Sequence, residues 1–177
     1  MLAVLVALLL TPGPAAALGW GGIEPAVTTL PQVRERWGAP NRETRAREEG
    51  HDTIQWVYEG QAAPGGMFRM VVDFGLLQPD GYKPQLVRAL RLEPKPLIFG
   101  RQTTAEAFGA PDRVGTLDGV EVLVYTSGLV VYFDKEGTSV AVLLFTPPLP
   151  DLGGAAPPGG SGPSGGAGAG GSAPAPR

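Results

Sequence analysis

The feature that most constrains this chain is an internal repeat. Two short segments, each opening on a pair of threonines, end in Trp37-Gly38-Ala39-Pro40 and Phe108-Gly109-Ala110-Pro111, and the second glycine follows the first at an offset of 71 positions. The blocks that follow each Gly-Ala-Pro also match in the same order. A chain that repeats several blocks in register encodes one compact unit twice, so a duplicated fold is the first expectation.

Three further blocks form the rest of each copy. Residues 54–58 match 121–125, residues 68–73 match 129–134, and residues 87–92 match 140–145. The blocks are rich in Val, Leu, Tyr and Phe and are separated by turn sequences such as Pro79-Asp80-Gly81 and Ser127-Gly128. This pattern predicts a three-stranded antiparallel meander in each copy.

A short helix is predicted at the start of each copy. Thr29-x-x-Gln32 and Thr103-x-x-Glu106 both fit a capping box, and each helix then meets a Gly that can end it and a Pro that cannot continue it. The second helix is expected to be shorter by about one turn. The fold class predicted is therefore α+β, with two tandem units of one helix plus a three-stranded antiparallel meander, at residues 28–98 and 99–150.

The two ends of the chain differ from the repeats in composition. Residues 1–10 are an unbroken apolar run, followed by Thr11-Pro12-Gly13-Pro14 and three alanines, which is the order of a secretory signal peptide spanning residues 1–17. The run is too short to span a membrane, so we expect a secreted or periplasmic protein with no transmembrane span after signal removal. Residues 18–27 are interpreted as an N-terminal linker. Residues 151–177, almost all Gly, Pro, Ala and Ser, are predicted to be a disordered tail, either a tether or dispensable.

Composition narrows the classes of function. The chain has no cysteine, which excludes disulfides, thiolate metal sites, cysteine nucleophiles and a thioether lipid anchor. Its formal net charge is −3, so no broad positive field favours phosphate groups and nucleic acid is not an expected partner.

The repeat resembles a known domain. A helix opening on Thr-Thr, a Gly-x-Pro stop, and a Trp56-x-Tyr58 strand followed by a meander are similar to the SmpA/OmlA (BamE-like) domain of bacterial envelope proteins, over roughly residues 23–148. The tandem arrangement is similar to the β-lactamase inhibitor protein. The resemblance implies a protein that binds another protein of the envelope, or a secreted enzyme, through its sheet.

The chemistry-bearing residues do not form a catalytic motif. His51 and Asp52 could act as a general-base pair, but they adjoin the charged stretch Arg42–Glu49. That stretch predicts a solvated loop or helix face, with a polar docking surface as the alternative. Asp73-Phe74-Gly75 is interpreted as a strand end and turn. Asp73 and Asp134 are expected at equivalent positions, capping turns rather than binding calcium. We therefore predict no catalytic residue, no metal site, no cofactor and no enzymatic activity.

The strand pattern instead points to a surface. One sheet face is predicted to carry Phe68, Met70 and Val72 with Leu129, Val131 and Phe133. The other face is wetter in the first copy, at Arg69, and apolar in the second. That apolar region is either covered within the chain, for example by Trp20, or a partner-binding patch. The candidate partner-binding residues are Arg69, Val122, Val124, Val130 and Tyr132.

The function predicted is an exported, non-enzymatic protein-binding module of the bacterial envelope, presenting an antiparallel sheet to a protein partner. Two alternatives stay open: a secreted or periplasmic enzyme inhibitor of the β-lactamase-inhibitor type, and a structural scaffold of the envelope.

Overall fold

The computed structural model describes residues 18–149, so the predicted signal peptide and tail lie outside the described residues. The elements are, in chain order, α1 (Leu30–Trp37), β1 (Arg42–Glu48), β2 (His51–Glu59), β3 (Met67–Gln78), β4 (Gly81–Pro94), α2 (Arg101–Phe108), β5 (Arg113–Leu117), β6 (Val120–Tyr125), β7 (Leu129–Phe133) and β8 (Val140–Phe145). Among these residues, no helix has the length and apolar character that crossing a membrane requires.

All eight strands belong to one antiparallel sheet, in the order β1-β2-β3-β4-β8-β7-β6-β5. Each group of four consecutive strands is a meander, and the two meanders join where β4 pairs with β8. The two halves therefore share one sheet, with β1 and β5 at its outer edges.

The predicted fold class is wrong. The described part of the chain is mostly sheet, with two eight-residue helices and four strands in each half rather than a helix plus three strands. The missed strands are β1 and β5, whose residues are all exposed. An edge strand that buries neither face lacks the alternation of apolar and polar residues that identifies a strand, and so the charged β1 was predicted as a loop or helix face.

The second helix is not shortened, because it begins earlier than predicted. The residue before α2 is Gly100, whose N–H donates to Thr103 Oγ1 at 2.9 Å, and in α1 the N–H of Thr29 donates to Gln32 Oε1 at 2.8 Å. The two helices thus begin with the same backbone-to-side-chain bond, made by different residues. The predicted Thr103-x-x-Glu106 capping box is wrong, since Thr103 already lies in the third helical position.

The predicted alignment of the third strands is displaced by two residues. Tyr58 lies opposite Met70, and the corresponding Tyr125 lies opposite Leu129, so Met70 and Leu129 are equivalent. Phe68, predicted on the buried face, lies at a register shift and is 57% exposed. Asp73 lies inside β3 and is not at a strand end.

The core lies on one face of the sheet, here named the core face. Both helices pack there: Val33 of α1 is buried in the core, and Phe108 of α2 contacts Tyr125 and Phe145. The segment predicted as a linker, residues 18–27, also contributes to the core, because Ile23 is fully buried. The opposite side of the sheet is named the outer face.

Candidate partner-binding surface

The outer face carries a row of directly opposed residues that crosses all eight strands. In strand order these are Arg42, Val57, Val71, Arg91, Leu144, Val130, Val124 and Arg113. Because neighbouring strands lie about 4.8 Å apart, the row is roughly 34 Å long. In each half, two valines of this row lie beside each other. The next residue of the row is Arg91 in the first half and Leu144 in the second.

The second half of this face is apolar. Val124 lies opposite Val130, and Tyr132 lies opposite both Val122 and Val142. We name as the outer patch the six residues Val122, Val124, Val130, Tyr132, Val142 and Leu144. Val122 is 7% exposed, and the other five are partly exposed. Six apolar or aromatic side chains on three neighbouring strands, β6, β7 and β8, form one continuous surface.

The first half of the outer face has polar or charged residues at three of the six equivalent positions, namely Gln55, Asp73 and Arg91. Gln55 lies opposite Asp73 and donates a hydrogen bond of 2.8 Å to its Oδ1, where the second half has Val122 opposite Tyr132. Arg69 makes two hydrogen bonds to Glu93, of 2.8 and 3.0 Å. These bonds to Glu93 raise the pKa of Arg69 above its ordinary value. Four polar side chains of the first half thus have their partners on the same face: Gln55, Asp73, Arg69 and Glu93.

The structure brings four of the five predicted site residues together. Val122, Val124, Val130 and Tyr132 are neighbours in the outer patch. Arg69 lies on β3, three strand spacings or roughly 14 Å from β7, and its guanidinium is held by Glu93. Sequence reasoning missed Val142 and Leu144, although an uninterrupted apolar run from Val140 to Phe145 indicates a strand that is apolar on both faces.

Trp20 does not cover the outer patch. Its ring stacks on Trp37, the last residue of α1, with 5.8 Å between ring centroids. Trp20 therefore packs with the helix that lies on the core face. Trp20 is therefore not the intramolecular cover that the sequence analysis considered for this apolar region.

A concave surface separate from the outer patch lies near His51, at the end of the sheet where β1 meets β2. It encloses about 630 Å³. The His51 ring stacks on Tyr82 at 4.3 Å, the Tyr82 hydroxyl donates to the backbone oxygen of Asp52, and Arg88 is paired with Glu48 at 2.7 Å. Within residues 18–149 no carboxylate accepts a hydrogen bond from His51, so the His-Asp sequence does not form a general-base pair there.

The acidic residues considered for calcium have structural partners. Asp134 accepts hydrogen bonds from the N–H groups of Thr138 and Ser139 and thereby closes the β7–β8 turn. Asp73 instead accepts from Gln55 in mid-sheet. In the described part of the chain, no three His, Asp or Glu side chains group closely enough to hold a metal ion.

Comparison with known proteins gives one distant structural similarity. No protein-family model matches the chain, and no curated protein matches its sequence. The chain is similar to the crystal structure of a DUF4309 family protein (YjgB) from Bacillus subtilis, with 14% sequence identity and a TM-score of 0.44, over 71% of this chain and 82% of that one. Similarity at this level assigns no function to the chain.

Proposed function

We propose that this chain is an exported, non-enzymatic protein-binding module of the bacterial envelope and that the outer patch is the surface that contacts its protein partner. The observation that carries the proposal is the difference between the halves. At equivalent positions the first half pairs Gln55 with Asp73, and the second pairs Val122 with Tyr132. A sheet with one covered face needs no apolar residues on its other face, so an apolar patch there has its use in binding.

The side chains of the outer patch suit a protein partner. Rigid valines on adjacent strands offer a preorganised apolar surface, and Tyr132 adds a hydroxyl that can bond at its margin. Because Val122 is nearly closed to solvent, the contact area is expected to be centred on Val124, Val130 and Tyr132. Large aromatic residues at the centre of an interface commonly supply much of its binding energy.

Export rests on the sequence of residues 1–17. If the signal peptide is removed, protein recovered from outside the cytoplasm of expressing cells lacks these residues. Mass spectrometry of the N-terminus checks this, and a cytoplasmic protein retaining Met1 would contradict it.

A transplant between the halves tests the patch. The double variant Val122→Gln/Tyr132→Asp copies the hydrogen-bonded pair of the first half, so the fold can be kept while the patch becomes polar. Its matched control is Gln55→Val/Asp73→Tyr, which makes the reverse change. A photo-crosslinking amino acid at position 130 identifies the partner, and the affinity of the purified pair is then measured for each variant.

We expect the second-half transplant to weaken binding at least about tenfold and the first-half control to leave it within about twofold, since loss of a buried aromatic contact costs on the order of 2 kcal/mol. Equal affinity of the wild type and the second-half transplant would refute the proposal. Unfolding curves of both variants separate lost binding from lost structure.

Enzyme inhibition is a second candidate, favoured by the joining of both halves through β4 and β8 into one outer face. Such a face is long enough to contact an enzyme on both sides of an active site. The test is the activity of the crosslinked partner: an inhibitor abolishes it at one-to-one stoichiometry, a binding module leaves it intact, and a scaffold yields several partners at position 130.

A further inference from the structure

The two edges of the sheet are built differently. β1 and β5 occupy equivalent places in the two halves, and within residues 18–149 each pairs with a single neighbouring strand. Five of the seven residues of β1 are charged, whereas β5 has the sequence Arg-Val-Gly-Thr-Leu. An edge strand presents unpaired N–H and C=O groups along its free side, and charged side chains there oppose pairing with another chain. β1 has such charges along its length, whereas the central residues of β5 have none.

The charges on β1 are also fixed by contacts. Glu43 accepts a hydrogen bond of 2.8 Å from Arg45 and one of 2.9 Å from Trp56 Nε1, and Glu48 is paired with Arg88. On β5 two of the exposed residues are large and apolar: Val114 is 65% exposed and Leu117 is 56% exposed. Val114 and Leu117 belong to opposite faces of the strand, so both faces of this edge would gain from being covered.

We propose that β5 pairs in antiparallel fashion with β5 of a second copy of this chain, about a twofold axis at Gly115. In this register Arg113 lies opposite Leu117 of the second copy, Val114 lies opposite its Thr116, and the two Gly115 residues face each other. No like charges are opposed within the strand pair. The same operation on β1, centred on Arg45, would oppose two guanidinium groups directly, which is destabilising.

Among residues 18–149 the free side of β5 is an edge of the sheet, because β5 pairs with β6 alone. A Cβ atom built on Gly115 would meet no heavy atom within 4 Å, so the sheet face beside the axis can also accept a side chain. Residues directly opposed in an antiparallel pair point to the same side of the sheet. The dimer would therefore be one 16-stranded sheet with both outer patches on the same side and a β1 edge at each end.

The charged β1 edges explain why the assembly would stop at two copies. A twofold contact uses β5 of both copies, so no β5 edge is left to add a third copy. The two edges that remain are the charged β1 strands, which oppose further pairing. A five-residue strand pair buries less area than a standard stable interface, so the dimer is expected to form reversibly at micromolar concentrations. This inference is independent of the proposed partner-binding function.

Charge exchange at the axis tests the dimer. Gly115→Glu and Gly115→Lys each place like charges opposite each other in a dimer, without a clash in the monomer. Protein purified from cells expressing all 177 residues is studied by sedimentation velocity across a range of concentrations. We expect each variant alone to dimerise about fivefold more weakly than wild type, and an equimolar mixture of the two to recover dimers.

The equivalent position on the other edge provides the matched control. Thr44 lies opposite Gln55 as Gly115 lies opposite Val122, so Thr44→Glu and Thr44→Lys should leave the association constant unchanged. A wild type that stays monomeric at all concentrations would overturn the inference. So would Gly115 variants that dimerise as well as wild type, or a mixture that recovers nothing. Val122→Gln/Tyr132→Asp should leave self-association unchanged, which separates this result from the test of partner binding.

Discussion

The two halves of the molecule are built on the same internal bonds. In the first, the Tyr58 hydroxyl donates to the backbone oxygen of Gly38, just after α1; in the second, Tyr125 donates to Gly109, just after α2. Both bonds are 3.2 Å long. Each ties the end of a helix to the second strand of its half, at the point where the chain turns toward the sheet edge.

The outer faces of the two halves agree less closely. Val57 and Val71 are buried on the outer face of the first half, whereas the equivalent Val124 and Val130 are partly exposed. Their neighbour in the row is Arg91 in the first half and Leu144 in the second. The comparison teaches that contacts on the core face are sufficient to keep the fold the same while the other face diverges. That freedom is what allows one half to carry a binding surface.

The largest effects are expected where the halves agree. Phe74 and Phe133 are equivalent and fully or almost fully buried, so Phe74→Ala and Phe133→Ala should each lower the free energy of unfolding by about 3–5 kcal/mol. Because β4 and β8 join the halves, both variants should unfold in a single urea transition. The exposed Phe68→Ala is the control and should change stability by less than about 1 kcal/mol. Two separate transitions would show that the halves fold independently.

The next effect concerns the tie between helix and sheet. Burial raises the pKa of Tyr58 to about 12. Because this folded-state pKa lies above the value of 10 in the unfolded chain, the contribution of the neutral phenol is complete below pH 10 and is lost as the pH rises toward 12. Urea midpoints between these pH values should therefore fall, and Tyr58→Phe should show a smaller fall. At neutral pH the same substitution should cost about 1 kcal/mol.

Burial also raises the pKa of the equivalent Tyr125. Tyr125→Phe is thus the matched variant for the alkaline experiment, and the two substitutions should reduce the pH dependence in the same direction. If the urea midpoint of Tyr58→Phe falls at alkaline pH as much as that of wild type, the contact between the end of α1 and the sheet does not depend on the neutral phenol.

Sequence reasoning located the features that have a local chemical signal. The predicted turns lie where strands end and begin: Pro79-Asp80 connects β3 to β4, which begins at Gly81, and Ser127-Gly128 lies between β6 and β7. Both helices end just before the predicted glycines. The edge strands had no such signal. β1 owes its conformation to pairing with β2, a tertiary contact that propensity does not encode.

The misaligned strands have a similar cause. β3 is 12 residues long and has register shifts near Phe68 and around Phe74, whereas its counterpart β7 has five residues. Matching the two by their aspartates therefore paired Asp73 with Asp134, although Asp73 is equivalent to Tyr132. In the correct alignment, the polar pair Gln55–Asp73 and the apolar pair Val122–Tyr132 occupy equivalent positions of the outer face. The sequence alone did not show this equivalence. Bulges shift the register without leaving a compositional mark.

A smaller effect is expected from exchanging the residues that flank the valines. The aliphatic part of an arginine can lie across a neighbouring apolar side chain, so Leu144→Arg should shield Val130, and Arg91→Leu should uncover Val71. Binding of a hydrophobic fluorescent dye should fall in the first variant and rise in the second. Stability should change by less than about 1 kcal/mol in both, because the sites are on the surface. Unchanged dye binding in both variants would show that the exposure of the valines does not depend on the residue beside them.

The smallest effect on partner binding is expected at His51, which has no counterpart in the outer patch. The ring stacks on Tyr82, and such an aromatic contact contributes about 0.5–1.5 kcal/mol, so His51→Ala should lower stability by about that amount. Asp52 contributes its backbone oxygen to Tyr82, and Asp52→Ala retains that atom and should change stability less. Neither substitution should alter the affinity for the crosslinked partner. A tenfold loss of affinity in His51→Ala would move the binding surface from the second half of the sheet to the concave surface beside β1.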